Sequence, residues 1–233
     1  MNWIDSHNHL QFLPPEETAA AVAAMAAAGV ERAVVNATSE ADWEAVAALA
    51  GRWPERLVPA FGVHPWRAAE VAGGWQKRLS EVLERHPLAS VGECGLDRRV
   101  AGQRAVFEAQ LRLARELGRT VTIHCVQAWG ELWEALDAVG TPGNFLMHGY
   151  GGSLEFARRL LPLGAYFSFS PILGGRALSV FKQLPRERLL VESDDRNPAA
   201  LPTTGAVLAA ALELTAEEVA GLTHANARTC FGW

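Results

Sequence analysis

Short apolar, β-branched runs alternate with longer amphipathic segments from one end of this chain to the other, and that alternation constrains the fold more than any single motif. The runs are Trp3-Ile4, Ala33-Val34-Val35, Leu57 to Val63, Ala89 to Gly92, Val121 to Ile123, Phe145-Leu146-Met147, Ala165 to Phe169 and Leu189-Leu190-Val191. Helix-length segments with polar or proline starts lie between these strand candidates. Pro14-Pro15-Glu16-Glu17 opens the first and Ser39-Glu40 the second. Gln103 to Leu117 is the most periodic, with Ala105, Val106, Ala109, Leu113 and Leu117 predicted along one stripe. Gly29, Gly118, Gly140 and Gly164 stand where a helix ends on a left-handed residue. Strand and helix alternating about every 30 residues predict an α/β fold, a closed (β/α)8 TIM barrel forming a single domain over residues 1–233. After the eighth strand, Thr215 to Leu222 and Ala225 to Phe231 are predicted as two short helices closing the barrel end, with Asn226 and Arg228 available as caps.

Composition narrows the function classes. With 49% hydrophobic and 20% charged residues the chain is that of a soluble globular protein. The Ala-rich stretch Ala19 to Val30 is too short to span a bilayer and follows an acidic pair, so no membrane association is expected. Three cysteines without a C-x-x-C favour a reducing cytoplasm over a disulfide scaffold or a thiolate zinc site. A net charge of −5 supplies no long-range attraction to a polyanion, though a local basic patch remains compatible with it. No G-x-G-x-x-G follows a strand, which argues against a dinucleotide site. No obligate protein partner is evident.

The chemistry-bearing residues sit just after the apolar runs. His7 and His9 follow the first, His64 the third, Glu93 the fourth, His124 the fifth, His148 the sixth and Asp194 the eighth. In a barrel these seven positions share the C-terminal rim, so groups far apart in sequence converge on one axial site. Residues i and i+2 of a strand point the same way, which puts the imidazoles of His7 and His9 on one side. Imidazole nitrogens and carboxylates without thiolate suit Zn²⁺, Mn²⁺ or Fe²⁺ in a hydrolytic site. Six ligands are too many for one tetrahedral ion, whereas two ions about 3.5–4 Å apart would share a bridging carboxylate, for which Glu93 is placed centrally. Asp194 is the candidate to orient and deprotonate the attacking water. Arg98 and Arg196, on the same rim, are candidates for a substrate anion, and Asp97 for a partner of a ligating imidazole. Trp66 and Trp129 stand beside the His64 and His124 motifs, where an indole stacks on a base or simply packs. His86 and His224 are expected to be structural, and Cys94 and Cys125 to be small buried hydrophobes.

These motifs together resemble the TatD family of metal-dependent hydrolases, within the amidohydrolase-like barrels. They are Asp5-Ser6-His7-Asn8-His9-Leu10, Gly62-Val63-His64-Pro65, Val91-Gly92-Glu93-Cys94-Gly95-Leu96-Asp97, Gln103 with Phe107 and Gln110-Leu111, Ile123-His124-Cys125, Met147-His148-Gly149, Leu189-Leu190-Val191-Glu192-Ser193-Asp194 and Asn226-Ala227-Arg228 with Phe231. The resemblance implies two divalent ions, Zn, Mn or Mg. His7, His9, Glu93 and Asp194 would hold one, and Glu93, His124 and His148 the other. It further implies that His64 lines a substrate phosphate pocket and that the activity is 3′–5′ exonuclease action on DNA. The walls depart from the family pattern. Arg98-Arg99-Val100-Ala101-Gly102 replaces a longer aromatic insertion, Cys125-Val126-Gln127 lacks the usual Arg after His124, and Asp195-Arg196-Asn197-Pro198 replaces Ala-Pro. An amidohydrolase-type enzyme acting on a small ester, amide or phosphate substrate is therefore the alternative. A non-catalytic barrel fits less well, because metal storage needs no base at Asp194.

Overall fold

Each apolar run is a strand in the computed structural model, which describes residues 1–233: β1 (Trp3–Asn8), β2 (Val30–Asn36), β3 (Leu57–Phe61), β4 (Ser90–Asp97), β5 (Val121–Val126), β6 (Phe145–Met147), β7 (Ala165–Phe169) and β8 (Leu189–Val191). They form one eight-stranded sheet in sequential order, every recorded pairing parallel. Parallel strands need crossovers, supplied by α1 (Pro15–Ala27), α2 (Trp43–Arg52), α3 (Trp75–Arg85), α4 (Arg104–Leu117), α5 (Trp129–Val139), α6 (Leu154–Leu160) and α7 (Gly175–Phe181), and α8 (Leu201–Leu212) follows the last strand. Helices on the outside and a filled barrel on the inside bury both faces of a strand. This is why β3 and β7 are buried at every residue and read as continuous apolar runs.

The ends of the barrel differ. Ile4, Leu146, Tyr166 and Leu190 pack with Ala227 and Cys230 of a ninth helix, α9 (Ala216–Phe231), which closes the N-terminal end. Asn226 Nδ2 donates to the carbonyls of Arg186 and Leu189 at 2.7 and 2.9 Å, and Thr120 Oγ1 donates to Cys230 O at 2.8 Å. That leaves the opposite rim for chemistry. The expected two short helices are thus one, and Asn226 serves as a mid-helix clamp instead of a cap. A capping box between Thr215 and Glu218 starts α9.

Two further expectations are corrected. The buried face of α4 runs through Phe107, Gln110, Leu111 and Ala114, while Ala105 is exposed. Counting apolar residues missed a buried polar one: Gln110 accepts from Val63 N at 2.7 Å and donates to Val63 O at 3.1 Å, capping the end of β3. Gly29, Gly118, Gly140 and Gly164 all have the anticipated positive φ, but Gly140, at φ 81° and ψ 164°, lies outside the left-handed helical region.

Closure is uneven around the barrel. No ladder joins β8 to β1. Ser6 Oγ donates to Val191 O at 2.9 Å, Ser193 N and Oγ donate to the Asp5 carboxylate at 3.0 and 2.6 Å, and Asp194 N donates to His7 O at 3.0 Å. The register shifts between Asp5 and Asn8 in β1 and between Val91 and Cys94 in β4. Such irregularities re-aim side chains, and these two lie where His7 and Glu93 turn into the barrel mouth.

Candidate metal centre

All seven residues anticipated from the sequence meet. Glu93 is at the middle, and its two carboxylate oxygens face different groups. Glu93 Oε2 lies 3.4 Å from His7 Nε2 and 3.4 Å from His9 Nε2. Asp194 Oδ1 completes that side at 3.6 and 3.7 Å from the same two nitrogens. Glu93 Oε1 lies 2.9 Å from His124 Nδ1, 2.9 Å from His148 Nε2 and 3.4 Å from His64 Nε2. His7 and His148 stack across the two groups at 4.1 Å between ring centroids.

The spacing and chemistry of these donors fit divalent cations. A tetrahedral ion with bonds of about 2.0–2.1 Å has ligand atoms about 3.3–3.4 Å apart. Distances of 2.9–3.7 Å around Glu93 bracket that edge length on both sides of the carboxylate. Sets His7–His9–Glu93, His7–His148–Asp194 and His64–Glu93–His124 each converge tightly enough to hold an ion. Ring hydrogen bonds sort the imidazoles further. His9 Nδ1 is 3.0 Å from Asn36 O and His148 Nδ1 is 3.3 Å from Glu192 Oε1, so in both rings the outer nitrogen keeps its proton and Nε2 is the nitrogen at which a metal would replace one. His64 is the reverse. Its Nδ1 accepts from Trp66 N at 3.1 Å, which puts the proton of a neutral ring on Nε2 and makes that atom a donor instead of a ligand.

Burial and mutual charge set the proton affinities. Burial alone would push the Glu93 carboxyl up, but the imidazoles of His148, His7, His64 and His124 outweigh it and hold Glu93 well below the usual carboxylate range. Burial disfavours a charged His148, yet Glu93 and Glu192 overcome this and push it well up. Burial, with His148 alongside, pushes His7 down, and burial also lowers His124. For His9, Glu93 and Asp194 outweigh burial and raise it. Burial raises Asp194. Side-chain exposure runs from 0% at His7 to 18% at Asp194, with His9 at 16% and His124 at 13%, so solvent reaches the cluster on both sides of Glu93.

Residues around the cluster carry the rest. Glu192, fully buried, accepts from Ser168 Oγ as well as from His148. Asp5 beneath β8 is pushed up to about 7 by burial, against hydrogen bonds from Ser193 and His7. Neither had a role in the sequence reading, although Glu192 stands two residues before Asp194 and the i, i+2 rule that paired His7 with His9 would have placed both carboxylates on one side. Asp97 is 3.9 Å from His124 Nε2, beyond a hydrogen bond, and is engaged elsewhere. Arg99 reaches it at 2.9 and 2.6 Å, and Trp66 Nε1 donates to it at 2.8 Å. The Arg99 hydrogen bonds foremost, with the Trp66 indole N–H, hold Asp97 far below its ordinary value.

The remaining assignments divide. Arg98 and Arg196 are exposed on the rim. Arg196 makes no ion pair with Asp195, and its guanidinium lies 6.0 Å from the Phe12 ring. Trp129 packs against Tyr150 and Phe156 at 5.6 and 5.5 Å. It lines a cleft of about 740 Å³ at α6 and α7 that contains none of the seven residues. His224 pairs with Glu31 at 3.3 Å and His86 caps α3; Cys94 is buried in the layer under the helices, whereas Cys125, expected to be buried too, is only partly so.

A parallel barrel with carboxylates and imidazoles gathered beyond the C-terminal ends of its strands is the architecture of a metal-dependent hydrolase. The chain belongs to the family of TatD-related DNases, whose sequence profile matches residues 4–232. It is 27% identical to the uncharacterized metal-dependent hydrolase TatD of Mycobacterium tuberculosis, covering 98% of this chain and 97% of that one. It is 31% identical to the 3′-5′ ssDNA/RNA exonuclease TatD of Cronobacter sakazakii, covering 74% of this chain and 70% of that one. The crystal structure of the TatD homolog YjjV from Escherichia coli superposes with a TM-score of 0.91 at 28% identity, covering 99% of this chain and 98% of that one.

Proposed function

We propose that this enzyme hydrolyses phosphodiesters of single-stranded nucleic acid from the 3′ end, using two divalent ions that share Glu93. The observation that carries the reading is the division of donors between the two oxygens of one buried carboxylate. His7, His9 and Asp194 would hold an ion with Glu93 Oε2, and His124 and His148 a second with Glu93 Oε1. Bound there, such ions lower the pKa of water and stabilise charge developing on attacking and leaving oxygens.

The side chains supply the remaining chemistry. Asp194, the most exposed of the seven side chains and 3.6 Å from His7 Nε2, is placed to accept the proton of the attacking water. His64 Nε2, fixed as a donor by the Trp66 amide, is oriented to hydrogen-bond a phosphate oxygen. Glu192 fixes the orientation of His148, as Asn36 O fixes that of His9. Arg98 and Arg196, exposed at the rim, supply cations for flanking phosphates.

No single helix is long and apolar enough to cross a membrane. The three cysteines are free, and we assign the cytoplasm as the compartment that keeps them so.

Asp194→Asn is expected to abolish cleavage of single-stranded DNA while retaining most bound metal, measured by elemental analysis beside a gel assay with Mg²⁺, Mn²⁺, Co²⁺ and Zn²⁺. Persistent activity in that variant would remove Asp194 as the base. Turnover of small chromogenic esters by the wild type, with no DNA cleaved under any of the four metals, would move the assignment to a small-ester hydrolase.

A further inference from the structure

Two large aromatic side chains stand in solvent at the mouth of the barrel, one on each side of the Glu93 carboxylate. Trp66 is 59% exposed and Phe12 42% exposed. Neither is loose. The Trp66 indole donates Nε1–H to the buried Asp97 at 2.8 Å, its backbone N–H holds His64, and its ring stands edge-on to His64 at 5.0 Å and 81°. Phe12 lies 5.8 Å from the His9 ring. His64 faces Glu93 Oε1 and His9 faces Oε2, so the two aromatics flank opposite ends of the cluster.

Each aromatic has an arginine beside it. The Arg99 guanidinium, locked on Asp97, lies 5.5 Å from the Trp66 ring, and Arg196 lies 6.0 Å from Phe12. Exposed aromatic area gains nothing for the folded chain, whereas a pre-fixed ring beside a cation matches a flat π-system joined to a phosphate. Bases within a duplex already stack on one another, so two such platforms select a strand whose bases are free, and they do so without reading sequence.

We propose that Trp66 and Phe12 are stacking platforms for the two nucleosides that flank the scissile phosphate, Trp66 on the His64 side and Phe12 on the His9 side. Asp97 is the positioning residue for the indole. This inference rests on the phosphodiesterase reading and names the substrate class of that same site: an unpaired strand engaged by its last two bases.

The test uses metal-loaded enzyme and oligothymidylate eight-mers whose 3′-terminal linkage is a phosphorothioate, with an abasic residue at the last or the penultimate position. Dissociation constants come from fluorescence anisotropy. Each abasic replacement is expected to weaken wild-type binding roughly 5- to 150-fold. Trp66→Leu is expected to erase the penalty at one position and Phe12→Leu at the other, while Trp66→Phe, which keeps a ring, retains most of it. Thermal melts of the variants establish that each is folded. Retention of both penalties in either leucine variant, or loss at the same position in both, overturns the proposal. Absence of any penalty in the wild type also overturns it, and cleavage of unmodified strands then judges the nuclease reading on its own. If the penalties behave as expected but no unmodified strand is cut, the stacking assignment stands and the nuclease reading falls.

Discussion

Glu192 shares one buried carboxylate between His148 Nδ1, at 3.3 Å, and Ser168 Oγ, so it decides which nitrogen of His148 is left to bind metal. Partners of this kind are typically worth about 10- to 100-fold in metal affinity or activity. Glu192→Gln removes the charge but keeps an acceptor. It is expected to weaken metal retention by about that factor, read by competition with a chelator, and unchanged retention would show that His148 needs no such partner. At this scale the sequence was legible wherever a donor follows an apolar run, because a parallel strand delivers its C-terminal residues to one rim. It was not legible where the role depends on a ring nitrogen. Nothing in Gly62-Val63-His64-Pro65 distinguishes a ligand from a donor; the Trp66 amide does. The cations of Arg98 and Arg99 also read alike, and only the fold shows that Arg99 is committed to Asp97.

Among the elements, helix α8 carries a glycine for a packing reason. A methyl group on Gly205 would overlap the indole of Trp3, which is buried in β1. Gly205→Ala is therefore expected to destabilise the fold by about 1–3 kcal/mol despite the better helix propensity of alanine, measured by urea unfolding. Combination with Trp3→Phe should recover part of the loss, because the smaller ring vacates that volume. A loss equal in both backgrounds would point away from this contact. A second element-level tie joins α3 to the turn before α2 through Arg78 and Glu40. The Arg78 hydrogen bond lowers the Glu40 carboxyl. A lowered carboxylate stabilises the fold above its unfolded value of about 4.3, and that contribution is lost as pH falls through the folded value. Glu40→Gln is expected to be slightly less stable than wild type at pH 7, with the gap closing as pH falls below the ordinary carboxylate range in thermal melts, and the effect is small because both groups are partly exposed. A stability gap unchanged with pH would mean that the contact acts through packing. Element type and order followed from periodicity here, yet the α4 face and the continuity of α9 did not. Both depend on buried amides, Gln110 and Asn226, which an apolar count treats as surface.

For the molecule as a whole, the weak line is the seam between β8 and β1, which lacks a ladder. Its backbone hydrogen bonds, Asp194 N to His7 O and His9 N to Asp195 O at 3.0 Å each, come from the residues proposed to hold metal and from the neighbour of one of them. Lower down it depends on Ser6 and on the Asp5–Ser193 pair. Ions bridging His7 and His9 of one side to Asp194 of the other would therefore act as a clasp across the seam. A ligand held at about 100 times its dissociation constant stabilises by about 2.7 kcal/mol. In a chain of this length that corresponds to a Tm shift of about 5–10 °C. Chelation is expected to lower the Tm by that amount and to speed hydrogen exchange at the amides of His9 and Asp194. The β4–β5 ladder, whose recorded pairs run from Val91 to Asp97, should exchange as before. The spatial pattern decides the matter. Uniform acceleration around the barrel would mean that metal stabilises the fold only through global linkage, whereas acceleration confined to the seam would show that the metal centre also completes the barrel, coupling its occupancy to closure of the sheet.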